Sequence, residues 1–314
     1  MHTDLTDRFR QLAEGQDRRI DLGMESLFWT AEVHASNRSA RLYVLRSDGN
    51  RRPMVGKLVV ELSNLAIDYC IPRRKIQEAR DHLQRTNSTA KMQALSKQAA
   101  LLFTDLKNTG EGGELLLFAV AEVVLGLQQA VAKMSLKTSS RMHYHGADGL
   151  YVSVAPDGRL RVHYGESKLY ANPRAAVSEC ITSIAPLLCD EGNIGAGSRD
   201  AFIFSSQLDL GNPKLEEAIL RFLDINSPDF RSPEYCGVVL VGFDRSEYPR
   251  LLDRVPPDDS VEESLTQEVA DLSKLLSQKA DEHGMGDFHI DIVFVPFPSV
   301  QAFRDEFLKT MGLV

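Results

Sequence analysis

Hydrophobic and polar positions along the chain predict strands near its start and helices soon after. The segments FWTAEVHA and ARLYVL are rich in β-forming residues and flank a short polar turn, so they are predicted to form a hairpin. VGKLVVELS is predicted to be a further strand, and Pro72 then opens a helical run, RRKIQEARDHLQR. Asn87 and Ser88 are predicted to end this helix and to cap the next one, which runs to about Lys107.

The rest of the chain continues to alternate between helical and extended patterns. After the glycine-rich loop NTGEGG, the segment ELLLFAVAEVVLGLQQAVAK is apolar on nearly all sides and is predicted to be a buried helix. Strands are expected at residues 150–155 and 160–168, followed by a helix from about Pro173 to Leu188. The last third reads as helix, strand, helix, strand and helix, with CGVVLVGF and HIDIVFVPF as its strands. This alternation is typical of an α/β layer structure.

The two strands between residues 150 and 168 are predicted to form a hairpin with polar side chains at its open end. In each strand alternate positions are apolar, and both apolar faces must point the same way to be buried. A three-residue turn at residues 156–158 meets this requirement. It pairs apolar residues across the strands: Val154 with Leu160, Val152 with Val162, and Leu150 with Tyr164. One further step sets Asp148 opposite Glu166, with Lys168 two residues farther along on the same face.

Two carboxylates paired in this way repel each other. The Cβ atoms of Asp148 and Glu166 are expected to lie about 5 Å apart. A divalent cation such as Mg²⁺ or Mn²⁺ would offset the repulsion, since hard cations take oxygen ligands and Mg²⁺ commonly uses one or two carboxylates plus a substrate phosphate. Lys168 would then hold its ammonium near the attacking water or the negative charge developing on phosphorus. The pattern therefore predicts metal-assisted phosphodiester hydrolysis.

At these residues the sequence resembles the PD-(D/E)xK, or restriction-endonuclease-like, nucleases. Asp148 is followed on the next strand by the E-x-K triplet of Glu166 and Lys168, although Ala147 stands where the proline of the family name would be. A longer resemblance is more specific. The segments GGELLLFAVAEVVLGLQQAVAKMSLKT, YHGADGLYV and YGESKLY resemble HamA, the nuclease-like subunit of the Hachiman antiphage defence system. The similarity extends back through YCIPRRKIQEA and across most of the chain.

The resemblance implies a fold, a site and a partner. We expect a restriction-endonuclease-like mixed sheet flanked by helices in residues 86–314. A smaller α/β unit at residues 1–85 would serve regulation or partner contact, and its deletion is expected to spare the hairpin. The implied catalytic residues are Asp148, Glu166 and Lys168, and the implied ligands of Mg²⁺ or Mn²⁺ are Glu114, Asp148 and Glu166. The resemblance also implies a heterodimer with a superfamily 2 helicase, HamB-like, that controls cutting of DNA.

The charge balance limits how the protein can meet a nucleic acid. The chain has 36 lysines and arginines and 44 aspartates and glutamates, which gives a net charge of -8. Proteins that bind nucleic acid without a partner usually have an excess of basic residues. Independent capture of DNA is therefore expected to be weak. Lys133, Lys137 and Arg141 precede the predicted site and are candidate nucleic-acid contacts, although each also fits a solvated surface position. The glycine-rich segment EGNIGAGS lacks the lysine of a P-loop, so no nucleotide site is predicted.

Apolar stretches and cysteines bear on location. The longest strongly apolar stretch, Leu115 to Leu127, contains Glu122 and is shorter than the roughly 20 residues of a membrane span. The segment MHTDLTDRFRQL has no apolar core of the signal-peptide type. We therefore expect no membrane contact and a cytoplasmic location. The four cysteines show no C-x-x-C pair, which favours reduced thiols over a zinc site or disulfides.

The sequence leaves two possible roles for several neighbouring residues and two possible functions for the protein. His143 and His145 suit either proton transfer or structural hydrogen bonds. Glu111 could replace Glu114 if its loop folds inward, and Glu122 suits either a place beside Glu114 or a salt bridge. The alternative function is a catalytically silent adaptor that keeps a nuclease-like fold in order to bind a partner. The intact carboxylate pair argues against this, because a scaffold has no use for its repulsion.

Overall fold

A mixed β-sheet forms the centre of the part of the chain that the structure describes. The computed structural model describes residues 9, 21–32, 37–103, 110–136, 147–189, 203–248 and 259–314. Its strands are β1 (Met24–Glu32), β2 (Arg38–Leu45), β3 (Gln128–Gln129), β4 (Gly149–Val154), β5 (Leu160–Tyr170), β6 (Glu234–Asp244) and β7 (His289–Phe297). The order across the sheet is β1-β2-β7-β6-β5-β4-β3. The four central strands, β2, β7, β6 and β5, are parallel, and the edges are antiparallel.

Helices cover both faces of this sheet. They are α1 (Val55–Cys70), α2 (Arg73–Thr86), α3 (Ala90–Ala100), α4 (Glu111–Ala119), α5 (Pro173–Leu188), α6 (Pro213–Leu223), α7 (Asp259–Glu282) and α8 (Val300–Thr310). Apolar residues of α5, α6 and α7 are buried in one hydrophobic cluster. Those of α1, α4 and α8 are buried in a second cluster on the other face. The predicted α/β fold with a mixed sheet flanked by helices is confirmed, and a restriction-endonuclease-like arrangement is consistent with it.

The two central strands β6 and β7 explain two of the apolar runs in the sequence. Both strands are buried along nearly their whole length. A parallel strand with helices on both faces has no solvent side, so its sequence is apolar without alternation. CGVVLVGF and HIDIVFVPF show this pattern, and both predicted strands are confirmed.

The segment VGKLVVELS is helical, so its prediction as a strand is wrong. It forms the first part of α1. The buried residues of α1 follow a helical spacing: Leu58, Val59, Leu62, Leu65, Ala66, Tyr69 and Cys70. Nine residues rich in valine and leucine do not distinguish a buried strand from a helix, and the period becomes visible only when SNLAIDYC is included.

The predicted buried helix after NTGEGG is confirmed only in its first half. α4 continues into a π-helical turn, Val120–Val124, and the helix then ends. Gly126 adopts a positive φ of 69°, and the chain beyond it becomes β3, with Gln129 opposite Tyr151 of β4. The Glu122 carboxylate accepts a hydrogen bond of 2.8 Å from the backbone N–H of Gln129, which holds the chain in its new direction. Apolar composition on all sides predicted burial correctly, but it carries no information on backbone shape.

The helices on either side of Asn87 follow the predicted order. α2 ends at Asn87, which adopts the left-handed conformation with φ of 54°. The Ser88 hydroxyl accepts a hydrogen bond of 3.3 Å from the backbone N–H of Ala90 at the start of α3. α3 ends at Ala100, before the predicted end near Lys107, and residues 104–109 lie outside the described residues.

The first hairpin belongs to the main sheet. β1 and β2 pair in antiparallel fashion, as predicted, and β2 pairs in parallel with β7 from Arg38 opposite Ile290 to Leu42 opposite Phe294. A functional division near residue 85 stays a prediction. Because the sheet crosses this boundary, the N-terminal region and the β4–β5 hairpin share one structural frame.

The predictions about membrane-spanning helices and about the cysteines can be compared with the structure. No helix within the described ranges is long and apolar enough to cross a membrane. The cysteines are free thiols, as predicted: Cys70, Cys180 and Cys236 are buried, and Cys189 is partly exposed.

Candidate active site

The β4–β5 hairpin has the register that the apolar alternation predicts. Val154 lies opposite Leu160, and the ladder continues to Gly149 opposite Gly165. The backbone N–H of Asp148 donates to the carbonyl oxygen of Gly165 at 2.7 Å, which extends the pairing toward Glu166. β5 continues to Tyr170, so its far end projects beyond β4. Asp148 therefore sits at the place where β4 begins and β5 is still extended.

The carboxylate of Asp148 is held against this projecting part of β5. Its Oδ2 accepts two hydrogen bonds of 2.8 Å from Ser167, one from the backbone N–H and one from the hydroxyl. Burial and the nearby charge of Glu114 raise the pKa of Asp148, while Lys133 and the bonds from Ser167 lower it. The net direction is upward. Asp148 is therefore fixed in position but costly to keep ionised.

Glu166 is the most deeply buried carboxylate of the group, with a side chain only 2% exposed. Its Oε1 accepts a hydrogen bond from Lys168 at 2.5 Å, whereas Oε2 is buried and finds no hydrogen-bond partner among the described residues. Burial and the charge of Asp148 raise the pKa of Glu166 to about 7, against the lowering effect of Lys168 and of the Ser183 hydroxyl. Although Ser183 is close enough to act on the pKa, it makes no standard hydrogen bond to Oε2. Oε2 is thus the less satisfied of the two oxygens of Glu166.

Lys168 supplies the positive charge next to these carboxylates. Its side chain is 22% exposed, so the ammonium lies at the boundary between protein and solvent. Burial lowers the pKa of Lys168, but the hydrogen bond and the charge of Glu166 outweigh that effect and raise it. The E-x-K spacing places both side chains on the face covered by α5, where Cys180 adjoins them. A charged lysine at this position can bind an anionic group that approaches from solvent.

Glu114 approaches Asp148 from the other side. It lies in the first turn of α4, and its Oε2 accepts a hydrogen bond of 3.0 Å from the hydroxyl of buried Tyr69. The charge of Glu114 is the second largest influence on the pKa of Asp148. Glu111 is buried, only 4% exposed, and takes part in interactions of its own. Of the two predicted alternatives, Glu114 is therefore the residue whose charge acts on Asp148.

Glu122 serves as a salt-bridge partner, one of its two predicted roles. Its carboxylate is fully buried and pairs with Arg73 of α2 at 2.5 Å. The same oxygen accepts the backbone N–H of Gln129. Glu122 therefore stabilises the end of the α4 region.

Tyr151 belongs to this group of side chains and was not predicted from the sequence. Its hydroxyl is buried and has no hydrogen-bond partner within the described part of the chain. Burial, followed by the charges of Asp148 and Glu114, raises its pKa. The signal in the sequence is the pair of glycines beside the acidic residues, Gly149 and Gly165, because their missing Cβ atoms leave the space that the ring fills.

A comparison with protein-family models identifies the family of the chain. The HamA family model matches residues 25–311. The chain belongs to the HamA family. The matched region spans Glu114, Asp148, Tyr151, Glu166 and Lys168. HamA membership confirms the resemblance to the Hachiman subunit and supports a role in antiphage defence within a system that has a partner.

No match is found among curated proteins or among solved structures. The HamA assignment therefore rests on the family model together with the motifs of the chain.

The donor set of this HamA-family protein fits a hard cation only in part. Among the residues with a described position, no three or more His, Cys, Asp or Glu side chains converge as a ready-made metal site. The pKa values of Asp148 and Glu166 are nevertheless both raised, so ionising either carboxylate is unfavourable. Oε2 of Glu166 also has no hydrogen-bond partner among the described residues. Mg²⁺ keeps several waters and takes one or two carboxylates plus substrate phosphate, which is the kind of incomplete protein site present here. Glu114 stands across Asp148 as a further oxygen donor.

The predicted nucleic-acid contacts have different outcomes. The Lys133 ammonium donates to the carbonyl oxygen of Ala147 and acts on the adjacent Asp148. It is thus part of the charge balance of the site, and contact with nucleic acid stays a prediction. Lys137 and Arg141, as well as His143 and His145, lie outside the described residues.

An open groove lies next to the carboxylates without containing them. It measures about 760 Å³ and begins at Ala171, three residues after Lys168. Its walls include Arg174 at the start of α5 and Arg245 after β6. Arg245 is paired with Glu268 at 2.8 Å. None of Glu114, Asp148, Glu166 and Lys168 lines the groove, so we assign the reaction to the carboxylate cluster instead.

Proposed function

We propose that this HamA-family protein is a metal-dependent deoxyribonuclease of the restriction-endonuclease-like kind and the cutting subunit of an antiphage defence complex. The observation that carries the proposal is the buried carboxylate of Glu166, which is bonded to Lys168 and has its pKa raised by the charge of Asp148. Asp148 and Glu166 both have raised pKa values, and Oε2 of Glu166 has no partner in the described part of the chain. A fold rarely maintains such a pair unless it binds a ligand that relieves the repulsion.

The roles of the residues follow from their positions. Asp148, oriented by Ser167, and the free oxygen of Glu166 would hold Mg²⁺ or Mn²⁺, with Glu114 as a further donor. When bound, the cation would supply Lewis-acid activation of water and phosphate. Lys168, at the solvent boundary, would orient the attacking water or bind the phosphate oxygen on which negative charge develops.

The partner proposed for this nuclease is a superfamily 2 helicase in a heterodimer. The net charge of -8 makes independent capture of DNA weak, because phosphate binding depends on a surplus of lysine and arginine. A subunit driven by nucleotide hydrolysis would deliver DNA to the site and would also keep the nuclease from cutting host DNA. Holding an enzyme silent requires an interface of standard size or larger.

The test uses purified protein, alone and with its helicase partner, on plasmid and linear DNA with Mg²⁺, Mn²⁺ or EDTA. Asp148→Asn, Glu166→Gln and Lys168→Ala should each reduce cleavage at least 100-fold, in line with losing one group that stabilises transition-state charge. Asp157→Asn is the matched control, since Asp157 lies in the exposed turn of the same hairpin. Wild-type rates in the three site variants would refute the assignment.

The silent adaptor is the second candidate, and two observations favour it. Lys168 is already bonded to Glu166, and no group of three ligands converges among the residues described. An adaptor would form the complex but would neither bind Mn²⁺ nor cut DNA with its partner present. Calorimetric titration of the isolated protein with Mn²⁺ separates the two candidates, because only the nuclease needs a cation site that Glu166→Gln removes.

A further inference from the structure

The phenol of Tyr151 occupies a place built for it in the sheet. Gly149 and Gly165 lie directly opposite each other on β4 and β5. A Cβ atom on Gly149 would lie 2.5 Å from the Tyr151 hydroxyl oxygen, and one on Gly165 would lie 2.8 Å from the ring. Neither glycine has a positive φ, so neither is required by backbone conformation. Both are required by the space that the ring occupies.

This arrangement brings the Tyr151 hydroxyl next to the proposed cation ligands. Gly149, which the hydroxyl overlies, is the neighbour of Asp148 in the chain. After burial, the charges of Asp148 and Glu114 raise the pKa of Tyr151, so both carboxylates act on the phenol. Tyr69 provides a comparison from the same cluster, since its hydroxyl donates a hydrogen bond of 3.0 Å to Glu114. The Tyr151 hydroxyl is fully buried and donates to nothing within the described residues.

A buried donor without an acceptor is unfavourable, and protein interiors rarely tolerate one without a reason. Here two features point to a ligand rather than to packing. The ring alone would fill the space above the glycines, so a phenylalanine would pack as well as a tyrosine. The hydroxyl, in addition, has no hydrogen-bond partner among the described residues, and the charges of Asp148 and Glu114 both act on it.

We propose that Tyr151 is a positioning residue whose hydroxyl donates a hydrogen bond to a water held between Asp148 and Glu114 in the ligand shell of the bound cation. This inference rests on the proposed function. It assigns Glu114 a ligand role through water and makes Tyr151 the group that orients that water. It also gives Gly149 and Gly165 a common purpose, which is to let the phenol reach the site.

The experiment compares Tyr151→Phe with Tyr43→Phe, a control with the same chemical change on β2, which three strands separate from β4 in the sheet. Mn²⁺ alone is titrated into each full-length protein by calorimetry. Tyr151→Phe should weaken Mn²⁺ binding at least 10-fold, the usual effect of removing a group that orients a metal ligand. Tyr43→Phe should leave it unchanged. In EDTA the melting temperature of Tyr151→Phe should equal or exceed that of the parent, because the variant removes an unsatisfied buried group.

A double-mutant cycle tests the shared water. If Tyr151 and Glu114 hold the same water, Glu114→Gln should weaken Mn²⁺ binding much less in the Tyr151→Phe background than in the parent. Parental Mn²⁺ affinity in Tyr151→Phe, or fully additive effects, would overturn this inference while leaving the nuclease proposal intact. A lower melting temperature in EDTA would likewise overturn it, since the hydroxyl would then be structural. Absence of Mn²⁺ binding and cleavage in the parent itself would instead refute the proposed function.

Discussion

At the scale of single residues, Glu166 lies where its charge opposes folding. Its carboxylate is buried beside Asp148, and burial raises its pKa to about 7 from an ordinary value of 4.5. The folded protein therefore holds a proton on Glu166 more tightly than the unfolded chain does. Stability from this group is present at low pH and is lost as the pH rises from about 4.5 through 7. Such a cost is common where a site is organised for binding rather than for stability.

The first prediction concerns Glu166→Gln in EDTA. An uncharged side chain avoids the cost, so the variant should be more stable than the parent at pH 8 by on the order of 2 kcal/mol, and the difference should shrink toward pH 5. Chemical denaturation across this range measures it. Buried His163, with its pKa lowered to about 4, contributes in the opposite sense between pH 4 and 6.5, but it is present in both proteins and cancels. A variant less stable than its parent at pH 8 would contradict the conclusion that the charge of Glu166 opposes folding.

At the scale of elements, close approach between strands and helices determines which residues are tolerated. The β4–β5 hairpin accommodates the Tyr151 ring only because two glycines face it. α2 and the π-helical turn after α4 are joined through the buried ion pair of Arg73 and Glu122. Both contacts connect elements that lie apart in the sequence, and both involve residues that local patterns leave unexplained.

The second prediction follows from the glycine pair. Gly149→Ala should lower the free energy of unfolding by about 1–3 kcal/mol, because the new methyl group would overlap the Tyr151 ring. Gly56→Ala in α1 is the control with the opposite sign, since nothing lies within 4 Å of its Cβ position. Alanine there should be neutral or stabilise by up to about 1 kcal/mol through helix propensity. Equal effects of the two substitutions would show that the ring does not depend on Gly149.

The third prediction concerns the Arg73–Glu122 pair. Arg73→Met leaves the carboxylate of Glu122 buried without its cation and should cost about 3–5 kcal/mol. Combining it with Glu122→Gln replaces the negative charge with a neutral amide. The double variant should therefore recover part of the lost free energy of unfolding. Thermal and urea unfolding of the two single variants and the double variant measure the coupling. Strictly additive losses would indicate that the two residues do not act as a pair.

At the scale of the whole molecule, the sheet unites the N-terminal region with the candidate site. β2 pairs with β7, which pairs with β6, which pairs with β5. α1 shares its hydrophobic cluster with α4, the helix that carries Glu114. These pairings lead us to expect that removing residues 1–85 disturbs the sheet, while the division at residue 85 itself stays a prediction.

The fourth prediction is that a protein lacking residues 1–85 misfolds or aggregates. The deletion removes β1, β2, α1 and α2, exposes the edge of β7 and uncovers one side of α4. Size-exclusion chromatography and circular dichroism of the truncated protein test this. The full-length protein, purified in the same way, is the control. A monomeric, folded truncation at residue 85 would restore the view of an independent N-terminal unit.

Local chemistry determined the part of the site that lies on one hairpin. Period-two alternation and a three-residue turn defined the register, since a slip by one residue would turn every apolar side chain to solvent. The E-x-K spacing then required Glu166 and Lys168 to share a face. These inferences needed only neighbours in the chain, so the sequence alone was sufficient for them.

Tertiary structure decided what depends on distant contacts. Whether VGKLVVELS became helix or strand, and where the helix after Glu111 ended, depended on packing against residues far along the chain. The position of Glu114 beside Asp148 depended on how α4 packs on the sheet, and the isolation of the Tyr151 hydroxyl depended on two strands and a helix together. Burial and the absence of a partner are properties of a three-dimensional environment, so no pattern along the sequence could specify them.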